Sequence, residues 1–130
     1  MTRFALCALG AALTFALGAC GEMPGRAPGL MDVAERPAER ALLAGMRSYD
    51  DGQYARAEQQ LQQALQAGLT SAKDRAAAHK HLAFIFCTSN RVIDCEAQFR
   101  AARRADPGFA LTRSEAGHPL WGPVYQRVQP

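Results

Sequence analysis

The sequence has few β-branched residues and no apolar run that would make a comfortable membrane span. Alanine, glutamine and arginine are frequent instead, a composition that favours helix. The apolar run at residues 4–17 is shorter than the roughly 20 residues that a transmembrane helix needs. The composition of these 130 residues therefore predicts one small all-α domain.

Several patterns that carry chemistry are also missing. The sequence contains no Gly-rich phosphate loop, no pair of candidate catalytic carboxylates and no Ser-His-Asp arrangement. The formal net charge is +3, with acidic and basic residues interleaved and no basic stripe that carries aromatic residues. We therefore expect no enzyme, no cofactor, no small-molecule substrate and no nucleic-acid partner.

The histidines are the first candidates for a metal site, and their spacing argues against one. His79 and His81 lie two residues apart in a predicted helix, so their side chains point to different faces and cannot easily share an ion. We expect one packed histidine, one solvated histidine and no metal.

The N-terminus has the pattern of an export signal, residues 1–19. A basic start is followed by the apolar run, and residues 17–20 read Leu-Gly-Ala-Cys. This resembles a bacterial lipobox, in which cleavage before the cysteine leaves Cys20 with a diacylglyceryl group and an acylated amine. Several acyl chains on one residue give stable anchoring. The alternative is an ordinary secretory signal that is cut near Ala19.

This leader places the chain in the bacterial cell envelope, lipid-anchored and facing the periplasm. By analogy with lipoproteins, Gly21 after the cysteine is no inner-membrane retention signal, which favours the outer membrane. Residues 20–36 are predicted to be a flexible tether, because residues 21–37 contain three prolines and three glycines.

Residues 37–107 contain one helix-turn-helix pattern twice, with a shift of 38 residues. Small residues recur at positions where paired helices approach, and a larger apolar residue fills the space beside them. This is the spacing of the tetratricopeptide repeat, whose unit is about 34 residues. The aligned pairs are Gly45 and Ala83, Gly52 and Asn90, Ala57 and Cys95, Leu61 and Phe99, and Ala64 and Ala102.

The pattern predicts helices at residues 37–50, 54–66, 72–87 and 92–105, with residues 108–130 as a capping segment. Pro119 and Pro123 forbid one continuous helix in that segment, so we expect a turn and then a short helix from Pro123. Residues 117–123 would form a rigid loop with Trp121 as a plug, and the alternative is that His118 or Trp121 clamps a ligand. The predicted buried positions of the second helix are Tyr54, Ala57, Leu61, Ala64 and Leu65, and those of the fourth are Val92, Cys95, Phe99 and Ala102.

Cys87 and Cys95 flank the predicted turn of the second repeat. Antiparallel helices bring such positions close together, and the bacterial periplasm is oxidising, so we predict a disulfide. The alternative is two buried free thiols. A redox-active pair is disfavoured because the C-x-x-C spacing is absent.

The functional surface that this fold offers is its groove, which in stacked repeats takes peptides or partner helices. Transferring the groove positions of the tetratricopeptide repeat predicts a partner-binding face at Leu42, Met46, Tyr49, Lys80 and Phe84. The alternative is that the capping segment folds over these residues and makes them part of the core.

Taken together, the chain resembles the TssQ-type lipoproteins associated with type VI secretion. The lipobox, the two repeats, the paired cysteines and a tail that reads Gly-His-Pro-Leu-Trp-Gly-Pro-Val-Tyr at residues 117–125 carry the resemblance. It implies an accessory scaffold or adaptor of that secretion machine, with protein partners. The alternatives are a scaffold or pilotin of another envelope machine, for pilus or outer-membrane assembly, and a periplasmic redox protein that uses Cys87 and Cys95.

Overall fold

The computed structural model describes residue 29 and residues 36–130, and every regular element in that part of the chain is a helix. This confirms the all-α prediction. The predicted signal peptide, Cys20 and nearly all of the predicted tether lie outside the described residues. The helices are α1 (Pro37–Asp50), α2 (Tyr54–Ala67), α3 (Ala72–Thr88), α4 (Val92–Ala105), α5 (Arg113–Ala116) and α6 (Gly122–Arg127). None of them is both long enough and apolar enough to cross a membrane.

The bounds of the four long helices follow from local signals. A glycine in the left-handed conformation ends α2, since Gly68 has a φ of 88°. The side chain of Ser71 accepts a hydrogen bond of 3.2 Å from the backbone N–H of Asp74 and so caps the start of α3. α2 and α3 each run one residue beyond the predicted end.

The two helical hairpins repeat one another with a shift of 38 residues. Both the first and the last residues of α2 and α4 correspond under this shift. The turn hydrogen bonds correspond too, because Gln53 N–H donates to the Ser48 carbonyl and Arg91 N–H donates to the Phe86 carbonyl, each over 2.8 Å. The hairpins therefore share their turn geometry as well as their sequence pattern.

The aligned positions also share their environments. Gly52 and Asn90 both have a positive φ, of 72° and 59°. A Cβ added to Gly45 would lie 2.8 Å from the Leu61 Cγ atom, so only glycine fits the unaltered approach of α1 to α2. Solvent reaches none of the remaining aligned residues, which are Ala57, Leu61, Ala64, Ala83, Cys95, Phe99 and Ala102.

The central helix is α3, which packs against α4 within its own hairpin and against both α1 and α2 of the first hairpin. Residues 81–87 are all buried, so this helix has no clear polar face at its C-terminal half. The central position explains why the core is one continuous cluster and not two.

The prediction that Tyr54 and Val92 are buried is wrong, since 47% and 40% of their surfaces are exposed. These two residues occupy the same position under the 38-residue shift, the first residue of α2 and of α4. The helix pair ends at the hairpin turn, so the first residue of the second helix has neighbours on one side only. It can therefore continue the apolar period and still be largely exposed, although Tyr54 keeps a contact with Tyr49.

The capping segment folds back onto the second hairpin, where α6 packs against α4. The side chain of Thr112 and that of Glu115 form a reciprocal capping box at the start of α5. The Tyr125 hydroxyl accepts a hydrogen bond of 3.1 Å from the Leu111 N–H and ties α6 to the chain before α5. The sequence predicted the start of α6 to within one residue, at Pro123 and not Gly122, but it did not predict α5.

Candidate functional site

The five predicted groove residues lie in different environments. Leu42 and Phe84 are buried in the core, with 5% and 4% of their surfaces exposed. Met46 and Tyr49 are partly buried and pack against the same core, and Lys80 is half-buried. These positions do not form one open surface.

The capping segment covers the α3 half of the groove with a tryptophan. The Trp121 ring stacks on the Phe84 ring, with centroids 4.2 Å apart and planes at 24°, and only 8% of Trp121 is exposed. The indole N–H donates a hydrogen bond of 2.8 Å to the Glu115 carbonyl, and His118 stacks on Trp121 in turn. Trp121 therefore has the structural role that was expected of it, since it covers Phe84.

The second predicted residue on α3 is also engaged by the capping segment. The Lys80 ammonium donates a hydrogen bond of 2.7 Å to the Glu115 carboxylate and lies 5.8 Å from the Phe84 ring centroid. Burial raises the pKa of Glu115, but the bonds from Lys80 and Thr112 outweigh it and hold this pKa below its usual value. The capping segment therefore folds over Lys80 and Phe84, as the alternative interpretation of the groove predicted.

On the α1 side, the predicted groove residue Tyr49 lies beside other aromatic rings, one of which, Tyr54, is exposed. The rings of Tyr49 and Tyr54 lie 5.5 Å apart at 58°, and Tyr49 also meets His81 edge-on at 5.2 Å. Since Tyr49 lies 6.3 Å from Phe84, the aromatic rings run without a break from Tyr54 to Trp121. Burial raises the pKa of Tyr49, and the negative charges of ionised Tyr54 and of Asp50 raise this pKa further.

The two histidines of α3 have separate partners. His79 Nδ1 lies 2.6 Å from Gln98 Oε1, and His81 Nδ1 lies 2.7 Å from the Ala77 carbonyl oxygen. His81 is buried and His79 is half-buried, so His81 is the packed histidine that was expected and His79 is only partly solvated. Burial lowers the pKa of both. Within residues 36–130, no three His, Cys, Asp or Glu side chains are placed to hold a metal ion.

The two cysteines meet beneath the turn of the second hairpin. Their sulfur atoms lie 2.10 Å apart, which is disulfide distance, and their Cα atoms lie 5.2 Å apart. Both side chains are buried, and Cys95 is wholly inaccessible to solvent. The pair therefore joins the end of α3 to the start of α4 inside the core.

Sequence reasoning missed Glu115 as the partner of Lys80 and placed Tyr54 in the core. The signal for Glu115 was available, because a threonine followed three residues later by a glutamate is the pattern of a capping box. The pattern would have predicted α5 but not its contact with Lys80, which lies 35 residues away in sequence.

Comparison of the chain with protein-family models, with curated proteins and with solved structures finds no match.

Proposed function

We propose that the protein is a protein-binding adaptor built from two tetratricopeptide repeats and anchored through lipid on Cys20 in the bacterial envelope. It faces the periplasm, at the outer membrane. The observation that carries the repeat assignment is the 38-residue recurrence of helix ends, turn hydrogen bonds and positive φ values in the two hairpins.

The binding face of this adaptor is the α1 half of the groove. In stacked helical repeats, the first helix of each repeat lines the concave surface that receives a partner. Here α3 already holds Trp121, whereas α1 presents Tyr49 beside the exposed ring of Tyr54. A partly buried tyrosine beside an exposed one is the kind of surface on which binding energy concentrates, because tyrosine is enriched among the residues that dominate binding.

The accessory role in type VI secretion rests on the sequence resemblance to TssQ-type lipoproteins. A role as scaffold or pilotin in pilus or outer-membrane assembly would use the same anchor and the same groove. The identity of the co-purified proteins separates the two assignments.

The test is affinity purification of the full, lipidated chain from membranes, with the bound proteins identified by mass spectrometry. The variant combines Tyr49→Ala with Tyr54→Ala. The control is Leu43→Ala, which removes a side chain of similar exposure, 46%, from the same hairpin. Phe84 is unsuitable for this purpose because its replacement would damage the core.

Secretion-machine components that bind the parent and Leu43→Ala, but not the double variant, would support both the adaptor and its groove. Pilus or outer-membrane assembly proteins in their place would keep the adaptor and overturn the type VI assignment. An intact, folded protein that retains no partner would overturn the adaptor. Separately, Cys20→Ala should release the protein from the membrane fraction if this cysteine carries the anchor.

A further inference from the structure

The side of the groove that α1 contributes ends in two carboxylates that form no ion pair within residues 36–130. Asp50 and Asp51 end α1 and begin the turn, between Tyr49 and Tyr54 in sequence, and both are exposed. The ion pairs within residues 36–130 use other carboxylates, namely those of Glu39, Glu58, Asp94, Glu96 and Glu115. The end of α1 therefore carries uncompensated negative charge.

Within the described residues, none of the nearby cationic side chains forms an ion pair with Asp50 or Asp51. Lys80 is bound to Glu115, and Arg56 lies 3.5 Å from the Gln53 side chain, an amide. Arg47 lies one turn before Asp50 on α1 but forms no ion pair with it in the described part of the chain. Asp50 directly follows Tyr49 at the end of α1. Burial is the main cause of the raised pKa of Tyr49, and the charge of Asp50 is a smaller cause in the same direction.

The two tyrosine rings form a corner in which Tyr49 is partly buried and Tyr54 is exposed. They meet at 58° with centroids 5.5 Å apart, and 47% of Tyr54 is exposed. An aromatic face attracts a cation through its quadrupole, and a nearby carboxylate adds direct charge attraction. The ring faces and the carboxylates lie on one short stretch of chain, and both attract cations. The side chains that suit this stretch are therefore those of arginine and lysine.

We propose that the corner formed by Tyr49, Tyr54 and Asp50 binds a basic side chain of the partner protein, with arginine preferred. This rests on the proposed adaptor function and adds the chemistry of the partner. Arginine fits better than lysine because its planar guanidinium stacks on a ring while its N–H groups donate to a carboxylate.

The test uses the full, lipidated chain in detergent micelles with its tyrosine rings labelled for NMR. The chain has only three tyrosines, and the buried Tyr125 serves as an internal control. The probe is N-acetyl-arginine amide. Its matched control is N-acetyl-citrulline amide, which keeps the shape of the side chain and lacks its charge.

Arginine amide should shift the ring signals of Tyr49 and Tyr54 saturably and leave those of Tyr125 unchanged. Asp50→Asn should weaken binding about threefold, whereas Asp94→Asn, at a carboxylate already paired with Arg91, should not change it. Equal shifts with citrulline amide, or no saturable shift with arginine amide, would overturn the proposal. The membrane purification is a separate readout. If partners are lost from the variant that combines Tyr49→Ala with Tyr54→Ala, the adaptor function stands even if the arginine proposal fails.

Discussion

Trp121 covers Phe84, and this contact joins the capping segment to the groove face of α3. The stack removes both rings from solvent and leaves 8% of Trp121 exposed. Trp121→Ala should lower the free energy of unfolding by about 3 kcal/mol, because it removes a large buried ring and exposes the ring beneath it. Urea denaturation followed by circular dichroism measures this loss.

The neighbouring leucine provides the control for the tryptophan. Leu120 precedes Trp121 in the same loop, but 53% of its surface is exposed. Leu120→Ala should change the free energy of unfolding by no more than about 0.5 kcal/mol. Equal losses for the two variants would show that the stack contributes nothing specific.

The close contact of Gly45 with Leu61 predicts a substitution whose cost depends on the side chain at residue 61. Gly45→Ala gains about 1 kcal/mol of helix propensity but places a Cβ 2.8 Å from the Leu61 Cγ atom, in a site that is fully buried. Since overpacking costs about 1–3 kcal/mol, the net effect should be destabilising. Thermal or urea unfolding of the single variant measures it.

A second background removes the two shortest contacts. In Leu61→Ala, the same Gly45→Ala change should cost clearly less, because the Leu61 Cγ and Cδ2 atoms are gone and only the 3.1 Å contact with the backbone nitrogen of residue 61 remains. A double-mutant cycle gives the coupling between the two positions. A coupling near zero would mean that the helices shift apart at no cost.

The four long helices could be predicted from the sequence because their signals are local. Gly52, Gly68 and Ser71 mark the turns, and the spacing of small and large residues specifies the paired faces. The covering of the predicted groove residues on α3 by the capping segment could not be predicted in the same way. It depends on the contact between Glu115 and Lys80, which lie 35 residues apart, and the spacing of apolar residues gives no information about such a contact.

The errors at Tyr54 and Val92 have a related cause. An apolar period shows which side of a helix faces its partner, but it does not show where along the helix the partner begins. Both residues continue the apolar face of their helix to the hairpin turn, at the very end of the helix pair, and remain 47% and 40% exposed there. That exposure turned a predicted core residue, Tyr54, into part of the candidate site.

The cysteine pair predicts a stability that depends on oxidation. Closing the loop between Cys87 and Cys95 should add about 2.5 kcal/mol by restricting the unfolded chain. The double variant Cys87→Ala with Cys95→Ala should lose about that amount, and alanine already occupies the position aligned with Cys95, at Ala57. Non-reducing gels and urea unfolding check the bond and its contribution.

The same variant separates a structural bridge from a redox role. With a structural bridge, activity in cells should fall only as far as the protein level falls. A stable protein at normal level that has lost all activity would point to redox chemistry instead.

The buried histidines predict that the protein loses stability below neutral pH. Burial holds the pKa of His81 in the folded protein below its usual 6.5, and that of His79 likewise. As pH falls through 6.5, the unfolded chain binds protons before the folded one does, so the free energy of unfolding decreases until the folded pKa values are reached. Glu115, whose pKa is also lowered, adds a further loss below about pH 4.5.

Urea unfolding at pH 7.5 and pH 5.5 measures the histidine contribution. His81→Phe keeps an aromatic ring beside Tyr49 and removes the titration, so its stability should change less between the two pH values than that of the parent. A parent protein whose stability is equal at both pH values would contradict the assignment.

The paired turn positions predict two substitutions of opposite sign. Gly52 and Asn90 correspond in the two hairpins and have φ values of 72° and 59°. Gly52→Ala should destabilise the protein by about 1 kcal/mol, because a side chain is disfavoured at positive φ although nothing lies within 4 Å of the added Cβ. Asn90→Gly should stabilise it by a smaller amount, because glycine adopts this conformation without that penalty. Urea unfolding of both variants beside the parent tests the two predictions. If Gly52→Ala were stabilising, the first turn would not need the positive φ that it shares with the second turn.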